Sequence, residues 1–326
     1  MNQAATGPRD RLLVVAPHPD DETLACGGLI QRTRAAGGAV RVLLATGGET
    51  NPWPQRVSER RWRLDADAGV RWGARRRGEL LAALRVLGLD EDALVPLGLP
   101  DQGVTEHLLA DATGLQARLA SLMQAFAPTR VAYPHVADAH PDHSALAFVA
   151  EAAIARCVAH GLALPERLVY LVHGARGMAT APIVLRLGAD EYARKREAAL
   201  AHASQALFGR ARLLRLASAV EGFHPPPTWP TPQRDRWQWS WRGHWPLAAT
   251  ATPDCALVWL GADGCLHARR LSSVEIHAHG GRWRRGSRRI RLALPSLADD
   301  ARAAWAKPVG GHRWLAYDGF RWQPAA

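Results

Sequence analysis

The sequence predicts an α/β protein: a mostly parallel sheet flanked by helices on both faces, followed by a smaller β-rich domain. Three observations carry this reading. Across the first 205 residues, short apolar runs alternate with helix-like stretches, as expected when crossover helices cover a parallel sheet. Pro225-Pro226-Pro227 then breaks the alternation, because such a run continues neither a helix nor a central strand. Beyond it, short alternating stretches cluster around glycine turns, which is a β-rich pattern. The expected units are residues 1–222 and residues 223–326.

Taken in order, residues 12–16 (LLVVA) form a fully apolar run that ends at Pro17, as a buried parallel strand would. A helical pattern follows through Thr33 and stops at Gly37-Gly38. Residues 40–45 read as the next strand, and 79–87 as a helix closed by Gly88. Residues 93–97, 115–126, 131–133 and 144–158 continue as strand, helix, strand and helix. Residues 168–172 and 183–187 are strand-like, and 191–205 read as one charged amphipathic helix. In the tail, 256–260 and 266–268 flank Gly261-Ala262-Asp263-Gly264, a hairpin signal. Residues 273–278 and 289–294 read as further strands, with one helix near 297–304.

Charge and tryptophan are unevenly placed. From Phe223 onward there are 15 basic and 7 acidic residues, whereas the first 222 carry 26 and 23. Ten of the 13 tryptophans lie between Trp229 and Trp322. Of the 41 basic residues only Lys195 and Lys307 are lysine, so the arginine excess is a property of the whole chain and not of one surface. No apolar run reaches the roughly 20 residues of a membrane helix, and no signal-peptide pattern opens the sequence. Cys26, Cys157, Cys255 and Cys265 form no C-x-x-C pair, so a disulfide framework is not expected and a cytoplasmic location is.

Two segments carry the chemistry. Pro17-His18-Pro19-Asp20-Asp21-Glu22 follows the first strand directly, and ligands in open α/β sheets bind outside the carboxyl ends of strands. His18 and Asp21, three residues apart, can turn toward one cation; imidazole with carboxylate suits zinc, Fe2+ or Mn2+ rather than calcium. For this segment alone, a buried hydrogen-bonded His–Asp pair is the alternative. His140-Pro141-Asp142-His143 stands at a second strand–helix junction. Together the two junctions could supply two histidines and one aspartate and leave a coordination position open, as catalytic zinc sites do.

On PHPDDE at 17–22 and HPDH at 140–143, the sequence resembles the PIG-L/LmbE family of metal-dependent N-acetylglucosaminyl deacetylases over about residues 10–205. Residues 46–49 (TGGE), 76–89, 98–101 (GLPD) and the stretch from Lys195 through Ser204-Gln205 support it. The resemblance implies a Rossmann-like, LmbE-like sheet and a metal held by His18, Asp21 and His143. It implies Asp20 as general base, and His140 as a cation stabilising the oxyanion, with Asp142 orienting it. It further implies that Arg76 and Asp101 contact the sugar; the alternative for Arg76, inside Arg75-Arg76-Arg77, is a solvated helix face. Some relatives carry a mobile tyrosine where this sequence has Asp138, so no tyrosine-assisted step is expected. The implied substrate is an acetylated amino sugar, free or linked to a lipid, a nucleotide or another small molecule.

The remaining polar and aromatic features take structural readings. His107, His135, His160, His173 and His202 lack partners at metal spacing, and His277 and His279 would share one face of a strand. Trp237, Trp239 and Trp241 alternate and would project from one strand face, as the core of a small β-domain or as a glycan-stacking row. Arg282, Arg284, Arg285, Arg288 and Arg289 cluster, which leaves nucleic-acid binding as a third reading. The rival to an enzyme is therefore a catalytically silent protein binding glycan phosphate or nucleic acid on the same fold. Such a binder has no need of the base Asp20.

Overall fold

The apolar runs and helical stretches of the first part become, in order, β1 (Arg11–Ala16), α1 (Asp21–Ala35), β2 (Ala39–Thr46), α2 (Pro52–Glu59), α3 (Ala68–Val86), β3 (Leu94–Leu99), α4 (Val104–Ala110), α5 (Ala112–Phe126), β4 (Arg130–Pro134), α6 (Pro141–Ala159), β5 (Glu166–Tyr170), β6 (Ile183–Arg186), α7 (Ala189–Ala201), α8 (Ala203–Leu216) and β7 (Val220–His224). The later part contributes β8 (Arg236–Arg242), β9 (Asp254–Leu260), β10 (Leu266–Leu271), α9 (Ser273–Ala278), β11 (Arg282–Arg285), β12 (Arg289–Pro295), β13 (Ala303–Val309) and β14 (Gln323–Pro324). The computed structural model describes residues 6–174, 181–229, 231–233, 235–242, 253–285, 289–298, 300–309 and 320–325. No helix among them is long and apolar enough to cross a membrane.

The main sheet has the order β3-β2-β1-β4-β5-β7-β6. Its first five strands are parallel, and β7 runs antiparallel to both β5 and β6. Strand order reverses between β1 and β4, so their carboxyl ends open the crevice where such sheets bind ligands. Both motifs leave the sheet at that crevice. One face of the sheet is covered by α4, α5 and α6, and the other by α1, α3 and α7. On the second face, Lys195 of α7 and Glu221 of β7 form a fully buried pair at 2.7 Å. Glu221 also accepts the Gly28 and Leu29 N–H groups of α1. Gly28 makes this approach possible, because a Cβ there would lie 2.1 Å from Leu187 Cδ2.

The tail forms a four-stranded sheet, β10-β9-β13-β14, and a three-stranded sheet, β11-β12-β8. Period-2 alternation along β9 divides its side chains between two cores. Ala256 and Val258 join the core beneath α5 and α6, together with Leu266, Trp305 and Trp322. Cys255 and Leu257 face the other way, toward Trp237, Trp239, Trp241, Leu292 and Leu294. The three tryptophans of β8 are 1–3% exposed, so they are core and not a stacking surface.

Three expectations for secondary structure are corrected. Residues 273–278 are helical, because Ser272 and Glu275 form a reciprocal capping box that starts α9. His277 and His279 therefore do not share a strand face. The described residues of 297–304 form no helix; β13 begins at Ala303 and pairs with β9, an instance of sheet pairing overriding alanine's helical preference. The single helix at 191–205 is two, broken at His202. Glu79 of α3 accepts the Ser204 N–H and hydroxyl and so satisfies a free donor at the start of α8. Of the arginine cluster, Arg288 and the Arg285 side chain lie outside the described residues.

If Trp239 is core, Trp239→Ala should lower unfolding free energy by about 3–5 kcal/mol. Trp62, which is 77% exposed, should change it by less than about 0.5 kcal/mol on the same substitution. Urea unfolding followed by far-UV dichroism measures both, and equal small effects would contradict the sandwich core.

Candidate metal centre

Each motif turns from a strand end into a helix N-terminus. In the first, Pro17 and Pro19 fix an extended approach, and α1 begins at Asp21 with Asp20 before it. In the second, His140 is the N-cap residue and Pro141 opens α6, the position where a missing N–H costs least. Asp21, Glu22 and Asp142 fall in the first helical turns, where the helix dipole favours negative charge.

Because β1 and β4 are hydrogen-bonded neighbours, the two turns meet. Asp21 Oδ2 lies 3.2 Å from His18 Nδ1 and 3.1 Å from His143 Nε2. The two imidazole nitrogens are 3.3 Å from each other. Donors bound tetrahedrally to zinc at about 2.1 Å stand about 3.4 Å apart, so this buried triangle fits such an ion. The donor set of two imidazoles and one carboxylate suits zinc, Fe2+ or Mn2+. Further histidines crowd it: the His140 ring lies 4.5 Å from that of His18, and the His173 ring 4.8 Å from that of His143. His173 is thus corrected from a residue without metal-spaced partners, since Asp21, His143 and His173 can converge on one ion.

The outer nitrogens of both histidines of the triangle face carboxylates. His18 Nε2 is 3.2 Å from Asp101 Oδ1 and from Asp142 Oδ2. His143 Nδ1 is 3.3 Å from Asp138 Oδ2. Such carboxylates fix the tautomer and ring orientation of metal-binding histidines. Asp142 also accepts the Gln102 and Val104 N–H groups. Its link to His140 runs through the backbone, the Asp142 N–H donating to His140 Nδ1 at 3.3 Å. The Asp142 carboxylate therefore serves His18 and the 102–104 turn, which amends the expected His140–Asp142 pairing.

Asp20 stands beside the triangle at φ +130°, a region that costs a non-glycine residue about 1–3 kcal/mol. Its N–H donates to Glu22 Oε2 at 3.0 Å, and its carbonyl caps the Leu24 N–H at 2.9 Å. Glu22 Oε1 lies 3.4 Å from His202 Nε2, which brings an otherwise unassigned helix junction to the site. Arg76 donates to Pro19 O and Gly48 O and lies 3.6 Å from Asp20 Oδ2. It is buried, unlike Arg75 and Arg77, so a solvated face is excluded, and its guanidinium is engaged within the protein. A Cβ on Gly48 would fall on that guanidinium. Asp101 likewise binds inward, accepting the Thr50 N–H at 2.8 Å while facing His18.

Electrostatics separates these groups. Burial pushes the Asp20 carboxyl up to about 6, reinforced by Asp21 and Glu22 and opposed by Arg76. Burial also pushes His140 down to about 2, helped by the charges of His18 and His143. This shift disfavours the cationic form that the resemblance implied for His140. With Nδ1 accepting a backbone N–H, its proton sits on Nε2. Burial works against charge on His143, yet Asp21 and Asp138 outweigh it and raise the imidazole to about 9. His18 is likewise raised well above its ordinary value, its burial outweighed by Asp101, Asp142 and Asp21.

Residues 13–154 match the family model described as PIG-L, GlcNAc-PI de-N-acetylase. Over that stretch the chain is similar to the PIG-L family. The chain is similar to proteins named 1D-myo-inositol 2-acetamido-2-deoxy-alpha-D-glucopyranoside deacetylase. The one from Rhodococcus jostii (strain RHA1) is 35% identical over 158 residues, covering 44% of this chain and 53% of that protein. The one from Mycobacterium sp. (strain KMS) is 36% identical over 163 residues, covering 45% and 50%. The chain thus spans about half the length of these relatives. Among solved structures, the conserved protein TT1542 from Thermus thermophilus aligns with TM-score 0.51 and 27% identity, over 66% of this chain and 94% of that one. The N,N'-diacetylchitobiose deacetylase from Pyrococcus horikoshii aligns with TM-score 0.50 and 20% identity over 66% and 83%, a likeness of fold.

The residues that sequence reading missed here are Asp138 and His173 as neighbours of His143, and Glu22 with His202 behind Asp20. Two of the partners of Asp138, the Val172 and His173 N–H groups, lie 34 and 35 residues away, so no local spacing announces them. Since the facing carboxylates favour the protonated form of His18 and His143 in the metal-free protein, loading zinc should release protons. Calorimetry at pH 7.5 in two buffers of different ionisation enthalpy measures this. Asp21→Asn should bind zinc at least about tenfold more weakly, and heat independent of buffer would refute the triangle as the binding site.

Proposed function

We propose that this chain is a metal-dependent hydrolase that removes the N-acetyl group from an N-acetylglucosamine-type amino sugar or glycoconjugate. The carrying observation is the triangle of His18 Nδ1, Asp21 Oδ2 and His143 Nε2 with the raised carboxyl of Asp20, partly buried, beside it. A divalent ion there, zinc by donor preference with Fe2+ or Mn2+ as substitutes, supplies Lewis acidity that polarises the amide carbonyl and makes hydroxide available near neutral pH. A bare carboxylate next to such a triangle is more than a binding site requires, which favours the enzyme over a silent binder.

An amide resists hydrolysis because its carbonyl is weakly electrophilic and its nitrogen leaves only when protonated. Asp20 answers the second problem: its carboxylate takes a proton from the attacking water and returns it to the departing nitrogen. Water is thereby divided between the two products, acetate and the free amine. His140 answers the first with a neutral Nε2–H donor aimed at the charge developing on the carbonyl oxygen. Arg76 and Glu22 hold Asp20, while Asp101 and Asp142 hold His18. In this reading Arg76 and Asp101 act chiefly as positioning residues, and a sugar contact by either is additional. The names of the relatives favour a glucosaminide carrying a small polar aglycone, and this reading assigns the chemistry to residues 1–222 and the work to the cytoplasm.

Purified protein loaded with zinc should release acetate from 1D-myo-inositol 2-acetamido-2-deoxy-α-D-glucopyranoside or a related N-acetylglucosaminide. A screen of lipid-linked, nucleotide-linked and free sugars locates the preferred conjugate. Asp20→Asn should lower kcat by about 10²–10⁴ while still binding zinc. The base must be ionised, so kcat/KM should be constant above about pH 6.5 and fall about tenfold per unit below the Asp20 value of about 6. An active Asp20→Asn enzyme would overturn the mechanism.

A further inference from the structure

We infer that the C-terminal segment is part of the support of the metal centre: Arg321 positions the Asp138 loop, and Asp138 in turn orients His143. The inference rests on the metal-site reading above, and concerns residues that lie on both sides of the end of the PIG-L match at residue 154.

Asp138 is 1% exposed and its carboxylate is fully engaged. Oδ1 accepts the His140 N–H at 2.9 Å, and Oδ2 accepts the Val172 and His173 N–H groups at 3.0 Å each. The same Oδ2 faces His143 Nδ1 at 3.3 Å. This is the position of an outer carboxylate behind a metal-binding imidazole, whose removal typically costs about 10–100-fold in metal affinity. Three N–H donors from two loops fix where that oxygen sits, so Asp138 carries the end of β5 and the HPDH turn in one register.

The other side of Asp138 is held from the tail. Arg321 Nη1 donates to the Asp138 carbonyl at 3.1 Å, a contact spanning 183 residues of sequence. Arg321 is itself tied to β8, because its own carbonyl accepts the Trp241 indole N–H at 2.9 Å. The next residue, Trp322, meets Phe148 of α6 edge-on at 5.2 Å. Phe148 lies on the helix that begins with the HPDH turn and carries His143. The tail therefore grips both the loop that holds the outer carboxylate and the helix that holds the ligand. A cation donating to one backbone carbonyl does not change the chemistry of the site; it fixes a loop whose misplacement by a fraction of an ångström would loosen the His143 ring.

The test measures zinc transfer from full-length protein to a chromophoric chelator, the visible spectrum of the Co2+ form, and melting of the metal-free protein. Asp138→Asn should lose zinc about 10–100-fold faster. Arg321→Met should lose it several-fold faster with an altered Co2+ spectrum, its metal-free melting should match wild type, and Arg321→Lys should restore most of the retention. Leu84→Ala, a destabilising change in the core on the other face of the main sheet from Phe148, should lower melting without altering the Co2+ spectrum. Zinc retention and a spectrum identical to wild type in Arg321→Met would overturn the inference. So would loss of zinc that only follows lowered melting, as a plain structural tie predicts. A wild-type protein that takes up neither zinc nor cobalt would instead sink the metal-site reading.

Discussion

One carboxylate oxygen, Asp21 Oδ2, stands 3.2 Å from His18 Nδ1 and 3.1 Å from His143 Nε2. Bringing two imidazoles and a carboxylate this close inside a protein is costly unless they share a cation or protons. Much of the surrounding structure serves that contact. It requires β1 and β4 to be adjacent and parallel, so that histidines 125 residues apart in sequence leave the sheet at the same end. The buried Lys195–Glu221 pair and the Gly28 contact seat α1, whose first residue is Asp21, against the sheet. The site thus lies where the doubly wound sheet reverses its strand order, the crevice this topology leaves open.

Around the contact the protein arranges charge to separate tasks. Carboxylates face the outer nitrogens of both histidines of the triangle and favour positive charge or metal there. Asp20, partly buried and beside other carboxylates, is made reluctant to ionise and so holds a proton at a pH where an exposed aspartate would not. His140, set among those neighbours, is pushed toward its neutral form, with Nδ1 accepting the Asp142 N–H. These opposite shifts arise from environment alone, since chemically identical side chains a few residues apart are driven in different directions. The left-handed backbone at Asp20 is part of the same arrangement. Glu22 and Arg76 hold the two polar groups of the Pro19–Asp20 peptide that precedes it, and His202 is brought in from a broken helix behind Glu22.

The tryptophan-rich tail belongs to this architecture through packing. Its four-stranded sheet contributes one face to the core beneath α5 and α6 and the other to a sandwich with β8 and β12. Tryptophan there supplies apolar area to a small layer that has few other large residues. The tail's positive charge includes arginines that make individual contacts: Arg269 with Glu275, Arg270 with Glu106 of α4, and Arg321 with the Asp138 loop. The last two tie the tail to α4 and to the site, which is a more specific use of arginine than a general basic surface.

Local sequence was enough to read the parallel sheet, the places where its strands end and the identity of the nearest donors. Apolar run length, proline at the turns and a His–Asp pair at each of two junctions are local signals, and a motif at a strand end has few places to go. Other features depend on the assembled fold: the charge state of His140, the inward engagement of Arg76 and Asp101, the role of Asp142 toward His18, the break at His202 and the burial of the β8 tryptophans. Each turns on which side chains arrive from elsewhere in the chain, and pKa values and hydrogen-bond partners are set by those neighbours. The helix at Ser273 is the exception, legible in Ser272 and Glu275 as a capping box but outweighed by the alternation around it. The strand at Ala303–Val309 was not legible at all, because alanine-rich sequence becomes a strand there only by pairing with β9.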